Sequence, residues 1–175
     1  MKLIRDYLRL IIFAAGILIG VQVPNFIDQY AKRISAHHIE AKVNFSGYQQ
    51  TADKHFSGSV ERLLEHYAAN PDTVFKDDAR NIKRIYQRQQ SFSAELKALD
   101  ASLVRKIFHV LFYGDNEVLK ETIAEFSYTV PLNPDAMICG LLLGLILSLT
   151  YELIVSVMGK LFVAAFGTRT GLMIR

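Results

Sequence analysis

Glu152 is the ionisable residue that sits well inside an apolar run of this chain (AMICGLLLGLILSLTYELIVSV). A carboxylate in such a place marks either a proton or ion path or a charge held by a partner. Depth discriminates between the two. Counted from Ala136 at ~1.5 Å per residue, Glu152 lies ~24 Å along the helix, about 6 Å short of the far edge of a ~30 Å hydrocarbon core. Arg9, counted back from Ile27, reaches nearly the same level. The expectation is an intramembrane charge pair, Glu152 with Arg9, with Lys160 as the substitute partner; a carrier role would make this a small channel or transporter subunit. Two further constellations concern packing. Gly16-Ile-Leu-Ile-Gly20 and Gly140-Leu-Leu-Leu-Gly144 are both GxxxG, and the second series continues at the same spacing through Ser148, Glu152 and Ser156. Small residues let helix backbones approach where lipid supplies no hydrophobic drive for association, so Gly16, Gly20, Gly140, Gly144 and Ser148 are read as a helix-packing face, within or between chains.

The remaining candidate chemistry is thin. His37, His38, His55, His66 and His109 are the plausible metal ligands besides carboxylates, and the spacing of His37-x-x-Glu40 would allow the two to share one helix face. No HExxH or Cys/His spacing accompanies them. GxSxG, Walker A and dinucleotide signatures do not occur. No residue is therefore assigned a catalytic, cofactor-binding or metal-binding role, and a non-enzyme is expected.

The elements that position these residues follow from the layout. Leu10–Val21 and Ala136–Tyr151 carry no charge, and the stretch between Pro24 and Pro134 balances fourteen basic against fourteen acidic residues. The net +3 therefore comes from the ends. Lys2, Arg5 and Arg9 precede the first run; Lys160, Arg169 and Arg175 follow the second. A nucleic-acid-binding domain would concentrate positive charge on its soluble part, and this one does not. By the positive-inside rule both termini are cytoplasmic and the middle is exported. Cys139 is the single cysteine, so no intramolecular disulfide can form. The first run resembles a signal peptide in length, but no small-x-small pattern follows it at Gln22–Phe26, and an uncleaved anchor is the preferred reading. Asn133-Pro134-Asp135 opens the second span as N-cap, N1 proline and first-turn acid. Phe162 and Phe166 suit the far interface, and Tyr7, Phe26, Tyr30, Phe126 and Tyr128 suit an aromatic belt.

Between the spans, apolar and small residues at Ile27, Tyr30, Ile34, His38, Ala41, Phe45, Tyr48, Ala52 and His55 run at spacings of three and four. Gly58 ends that seam. Ser59 caps a short helix with Val60, Leu63, Leu64 and Tyr67, which Asn70-Pro71-Asp72 stops. A second seam runs through Ile82, Ile85, Gln89, Phe92, Leu96, Leu99, Leu103, Ile107 and Val110, with Asp100 and Ser102 able to divide it. Gly114-Asp115 is a turn and cap before a last helix with Val118, Leu119, Ile123 and Phe126, and Ser127–Leu132 is extended. The seams predict an antiparallel coiled-coil hairpin or small bundle; part of a seam docking another chain is the alternative.

The segments Gly20-Val-Gln-Val-Pro-Asn-Phe-Ile-Asp-Gln-Tyr30, His38-x-Glu40-Ala41, Gly47-Tyr-Gln-Gln-Thr-Ala-Asp53 and Ser127-Tyr-Thr-Val-Pro-Leu-Asn-Pro134 resemble a family of small bacterial inner-membrane proteins catalogued as a domain of unknown function. The resemblance covers essentially the whole chain. It implies a bacterial source and two spans, and carries no activity, cofactor or catalytic residue. The expectation is thus an all-α membrane protein: residues 1–9 cytoplasmic, 10–27 the first span, 28–134 a periplasmic helical domain, 135–158 the second span, and 159–175 a cytoplasmic tail. The partners expected are the lipid bilayer and either further copies or another membrane protein. An assembly or accessory subunit of the inner membrane is the function anticipated, with a periplasmic sensor module as runner-up.

Overall fold

The computed structural model describes the backbone of residues 2–166 and the side chains of residues 3–161. The expectations for Phe162, Phe166, Arg169 and Arg175, and for most of the cytoplasmic tail, lie outside the described side chains. All regular structure among the described residues is helical. In chain order the helices are α1 Lys2–Gly20, α2 Gln22–His55, α3 Val60–Ala68, α4 Thr73–Ala98, α5 Leu103–Tyr113, α6 Asn116–Ala124 and α7 Pro134–Phe166. Two helical stretches, one near each end, are long and apolar enough to cross a membrane.

The chain divides into two compact units. The first comprises residues 1–25 and 127–175, the second residues 26–126. In the first unit α1 packs along α7. The helix expected from Leu10 to Ile27 is instead two helices, because α1 ends at Gly20 and α2 begins at Gln22. Pro24 explains the break. It has no N–H for the carbonyl of Gly20, and its ring would crowd that carbonyl in a continuous helix, whereas the first turn of a new helix accepts it. At the other end α7 continues past the expected limit of Met158 to Phe166.

In the second unit, Ile27, Tyr30, Ile34 and Ala41 of α2 meet Phe92 of α4, Leu99, Val110 of α5 and Val118 of α6 in one apolar core. A second core joins Phe45 and Ala52 of α2, Val60 and Leu63 of α3 and Ile82 of α4. The caps lie where the side chains allow them: Ser59 accepts from Arg62 N–H, Asp72 from Val74 N–H, and Asp115 from Glu117 and Val118 N–H. Each satisfies amides that a helix start leaves unpaired. Ser57 and Gly58 take the left-handed conformation (φ 52° and 81°) that turns the chain from α2 to α3. The second seam is divided at residues 99–102, as the sequence allowed.

Three expectations are corrected. Tyr30 is fully buried in the first core and does not stand in an aromatic belt. His55 is exposed, because α2 stops there. Ile123 points to solvent, and Thr122 is buried in its place, its hydroxyl donating to Val118 O at 2.7 Å. The carboxylates of Glu121 on α6 and of Glu125 just past its end reach Arg33 of α2, and the 118/121/122 face of α6 turns inward.

Candidate functional site

The glycines of the first unit face one another across α1 and α7. A Cβ added to Gly16 would lie 2.7 Å from Gly144 Cα, and one on Gly20 would lie 2.6 Å from the Cys139 carbonyl oxygen and 2.7 Å from Gly140 Cα. From the other side, Gly140 meets Val21 and the Ile17 carbonyl, and Gly144 meets the Phe13 carbonyl. At Gly16, Gly20 and Gly144 the nearest atom is backbone, and at Gly140 it is the Val21 side chain, so a side chain at any of the four would force the helices apart. The contact is within one chain. Ser148, one step further along α7, lines an open cleft of about 450 Å³ with Asp6, Arg9, Leu10 and Phe13. Beyond it Arg9 Nη1 donates to Glu152 Oε2 at 3.3 Å, with both side chains about half exposed to the surroundings of the helix pair.

At the opposite end of this unit lies a polar knot that the sequence reading did not single out. Asn25 is buried, and its amide donates to Ser127 O at 2.9 Å and Thr129 O at 3.2 Å, while Thr129 Oγ1 donates to Asn25 Oδ1 at 3.2 Å. The segment between α6 and α7 has no helical ladder for its carbonyls, and buried or half-buried carbonyls need donors. Asn25 supplies them from α2.

The second unit holds two networks on the same helix. Tyr30 Oη donates to Glu95 Oε1 at 2.6 Å and accepts from Asp115 N–H at 2.7 Å, and His109 Nε2 meets the same carboxylate oxygen at 2.9 Å. One buried phenol thereby joins α2, α4 and the turn before α6. Its burial, reinforced by the neighbouring Glu95 carboxylate, pushes the Tyr30 phenol well above its ordinary value. One turn along α2, Arg33 Nη1 bridges Glu121 (3.0 Å) and Glu125 (2.9 Å), and His37 Nε2 meets Glu121 Oε2 at 2.7 Å. The His37 hydrogen bond, and after it Arg33, holds the Glu121 carboxyl below its ordinary value. The His37 ring also stacks on Phe92 at 5.4 Å. The seam expectation had assigned the inward role to His38. His38 is half-buried, and among the described residues no ring stack or ion pair comparable to those of His37 ties it to another helix.

Among the described residues, no group of three or more His, Cys, Asp or Glu side chains could hold a metal ion. His37 and Glu40 share a face as expected, with Nδ1 and Oε2 3.9 Å apart. A groove of about 540 Å³ runs between α3 and α4, with Glu61 and Glu65 on one wall, Lys76, Arg80 and Lys83 on the other, and Leu64 and Ala79 between them. What these arrangements do chemically is tie helices together. The phenol, imidazoles and carboxylates of the two networks are spent on one another.

Comparison with curated proteins finds no match, and neither does comparison with solved structures. A family described as "Protein of unknown function (DUF2937)" matches residues 4–163, a stretch that holds the glycine contact, the Asn25 knot and both networks of the helical unit. The chain belongs to that family.

Proposed function

We propose that this chain is a two-span protein of the bacterial inner membrane, with both termini cytoplasmic and residues 28–134 in the periplasm, serving as a non-enzymatic assembly or accessory subunit. One observation carries the reading. The polar side chains of the helical unit that are held in networks bind its own helices together, while large apolar side chains such as Val104, Phe108 and Leu111 stand on its surface. Such a unit offers surface to a partner and holds its polar groups back from a substrate. Basic residues at both ends support the orientation, and the Arg9–Glu152 pairing supports a structural role for Glu152 over a carrier role.

The test is purification of the full chain from its membrane in mild detergent. Stoichiometric co-elution with further copies or with another membrane protein is expected, and a lone monomer at all concentrations overturns the reading. Orientation is tested separately by an impermeant thiol reagent on intact cells. In a Cys139→Ser background, Ser91→Cys should label and Thr170→Cys should not. The groove between α3 and α4 favours a second reading, a periplasmic sensor module, because its volume lies within the ~300–1,000 Å³ of small-molecule sites. A small-molecule-induced rise in melting temperature, abolished by Arg80→Glu, would support the sensor.

A further inference from the structure

α5 is apolar on two faces. Val110, with Ile107 beside it, packs into the first core. A different stripe, Val104, Phe108, Leu111 and Phe112, stands 71%, 61%, 70% and 66% exposed. At ~100° per residue these four span about a quarter of the helix circumference, interrupted by no charge and bordered by Arg105. Arg105, Lys106 and His109 take up the rest of the circumference, so one apolar face of the helix is covered by the core and the other is left open. Phe108 and Phe112 lie against each other with centroids 5.1 Å apart, forming a ready aromatic ledge.

We propose that the outer face of α5 is the contact between two copies of this chain, each pressing Val104, Phe108, Leu111 and Phe112 against its mate. The inference rests on the membrane-anchored reading above and names one partner for it. Area supports a second copy. With aromatic side chains offering ~150–250 Å² each, the stripe exposes roughly 500 Å², at the upper end of the patches that monomers tolerate and most of the ~800 Å² per partner of a standard interface. Anchoring makes up the remainder, since two chains held in one bilayer meet at a high effective concentration. Geometry supports self-pairing as well. Copies inserted with the same orientation are related by a two-fold axis along the membrane normal, so side chains on the axis meet their own mates. The 104/108/111 spacing of four and three is that of a helix-pairing seam. Arg105 then stays at the rim, where like charges remain hydrated.

The experiment uses the full chain in its own membrane, in a Cys139→Ser background, with a short bismaleimide. Leu111→Cys should yield covalent dimer at least tenfold over Gln90→Cys, an exposed position on α4. Equal yields, or no dimer at Leu111→Cys, overturn the proposal. A second variant, Phe108→Glu with Phe112→Glu, changes only exposed side chains; helical ellipticity should persist while the dimer in mild detergent is lost, and a dimer that survives also overturns it. A monomeric chain that still co-purifies with a different membrane protein refutes the α5 contact and leaves the accessory-subunit reading standing.

Discussion

Gly20→Ala tests the packing of α1 on α7 with a single methyl group. The added Cβ would lie 2.6 Å from the Cys139 carbonyl oxygen and 2.7 Å from Gly140 Cα. Both atoms are backbone, so no rotamer change relieves the contact, and the helices must part locally by roughly 0.8 Å to reach the 3.4 Å at which ordinary contact begins. A gap of that size forfeits about a quarter to a half of the attraction at each neighbouring atom pair, and overpacking of this kind costs ~1–3 kcal/mol. At ~2–4 °C per kcal/mol for a chain of this length, the melting temperature should fall by about 4–8 °C for a ~2 kcal/mol loss. The assay is built into the protein. Cys139 is the single thiol and is half-buried, so a fluorogenic maleimide reports its exposure as the chain is heated in mild detergent. Gly159→Ala, where a Cβ meets nothing within 4 Å, is the control and should leave the melt unchanged. A Gly20→Ala melt superimposed on that of Gly159→Ala would show that the glycine contact does not hold α1 and α7 together.

Three further outcomes follow from the ion pair and the two networks. Glu152→Leu should destabilise the full chain more than Arg9→Leu with Glu152→Leu together, because removing one partner strands a charge and removing both does not; thermal melts of the two variants in the same detergent decide it. Tyr30 is raised in the folded state, so the stability it contributes is whole below its unfolded value of about 10 and declines as pH rises beyond it. Tyr30→Phe should abolish that alkaline decline while costing ~1–3 kcal/mol at neutral pH, since Asp115 N–H and Glu95 lose a buried partner, and helical ellipticity on heating at pH 7 and pH 11 measures both. Glu121 is depressed, so its contribution is present above an unfolded value of about 4.3 and is lost as pH falls through the folded one. Glu121→Gln should therefore lower the melting temperature at pH 7 and leave it unaltered near pH 2.

The sequence determined by itself those features whose causes are local. Ser59, Asp72, Asp115 and Asn133 cap helices through bonds to amides two or three residues away, so their chemistry is visible in a window of a few residues. Pro24 belongs to the same class: its missing N–H removes the bond to the Gly20 carbonyl, a cause that lies in the sequence itself. The glycine spacing was legible because a close approach needs small residues on one face, and equal counting from the membrane edges brought Arg9 level with Glu152. Periodicity alone could not distinguish His37 from His38. The two are neighbours about 100° apart on α2, and the inward one is decided by Phe92 and Glu121, which arrive from 55 and 84 residues away. Tyr30 and Asn25 raise the same difficulty. Their partners at Glu95, Asp115, Ser127 and Thr129 are set by how segments distant in sequence come together. A buried polar group takes whichever partner the packing brings within ~3 Å, and only the tertiary structure specifies that partner.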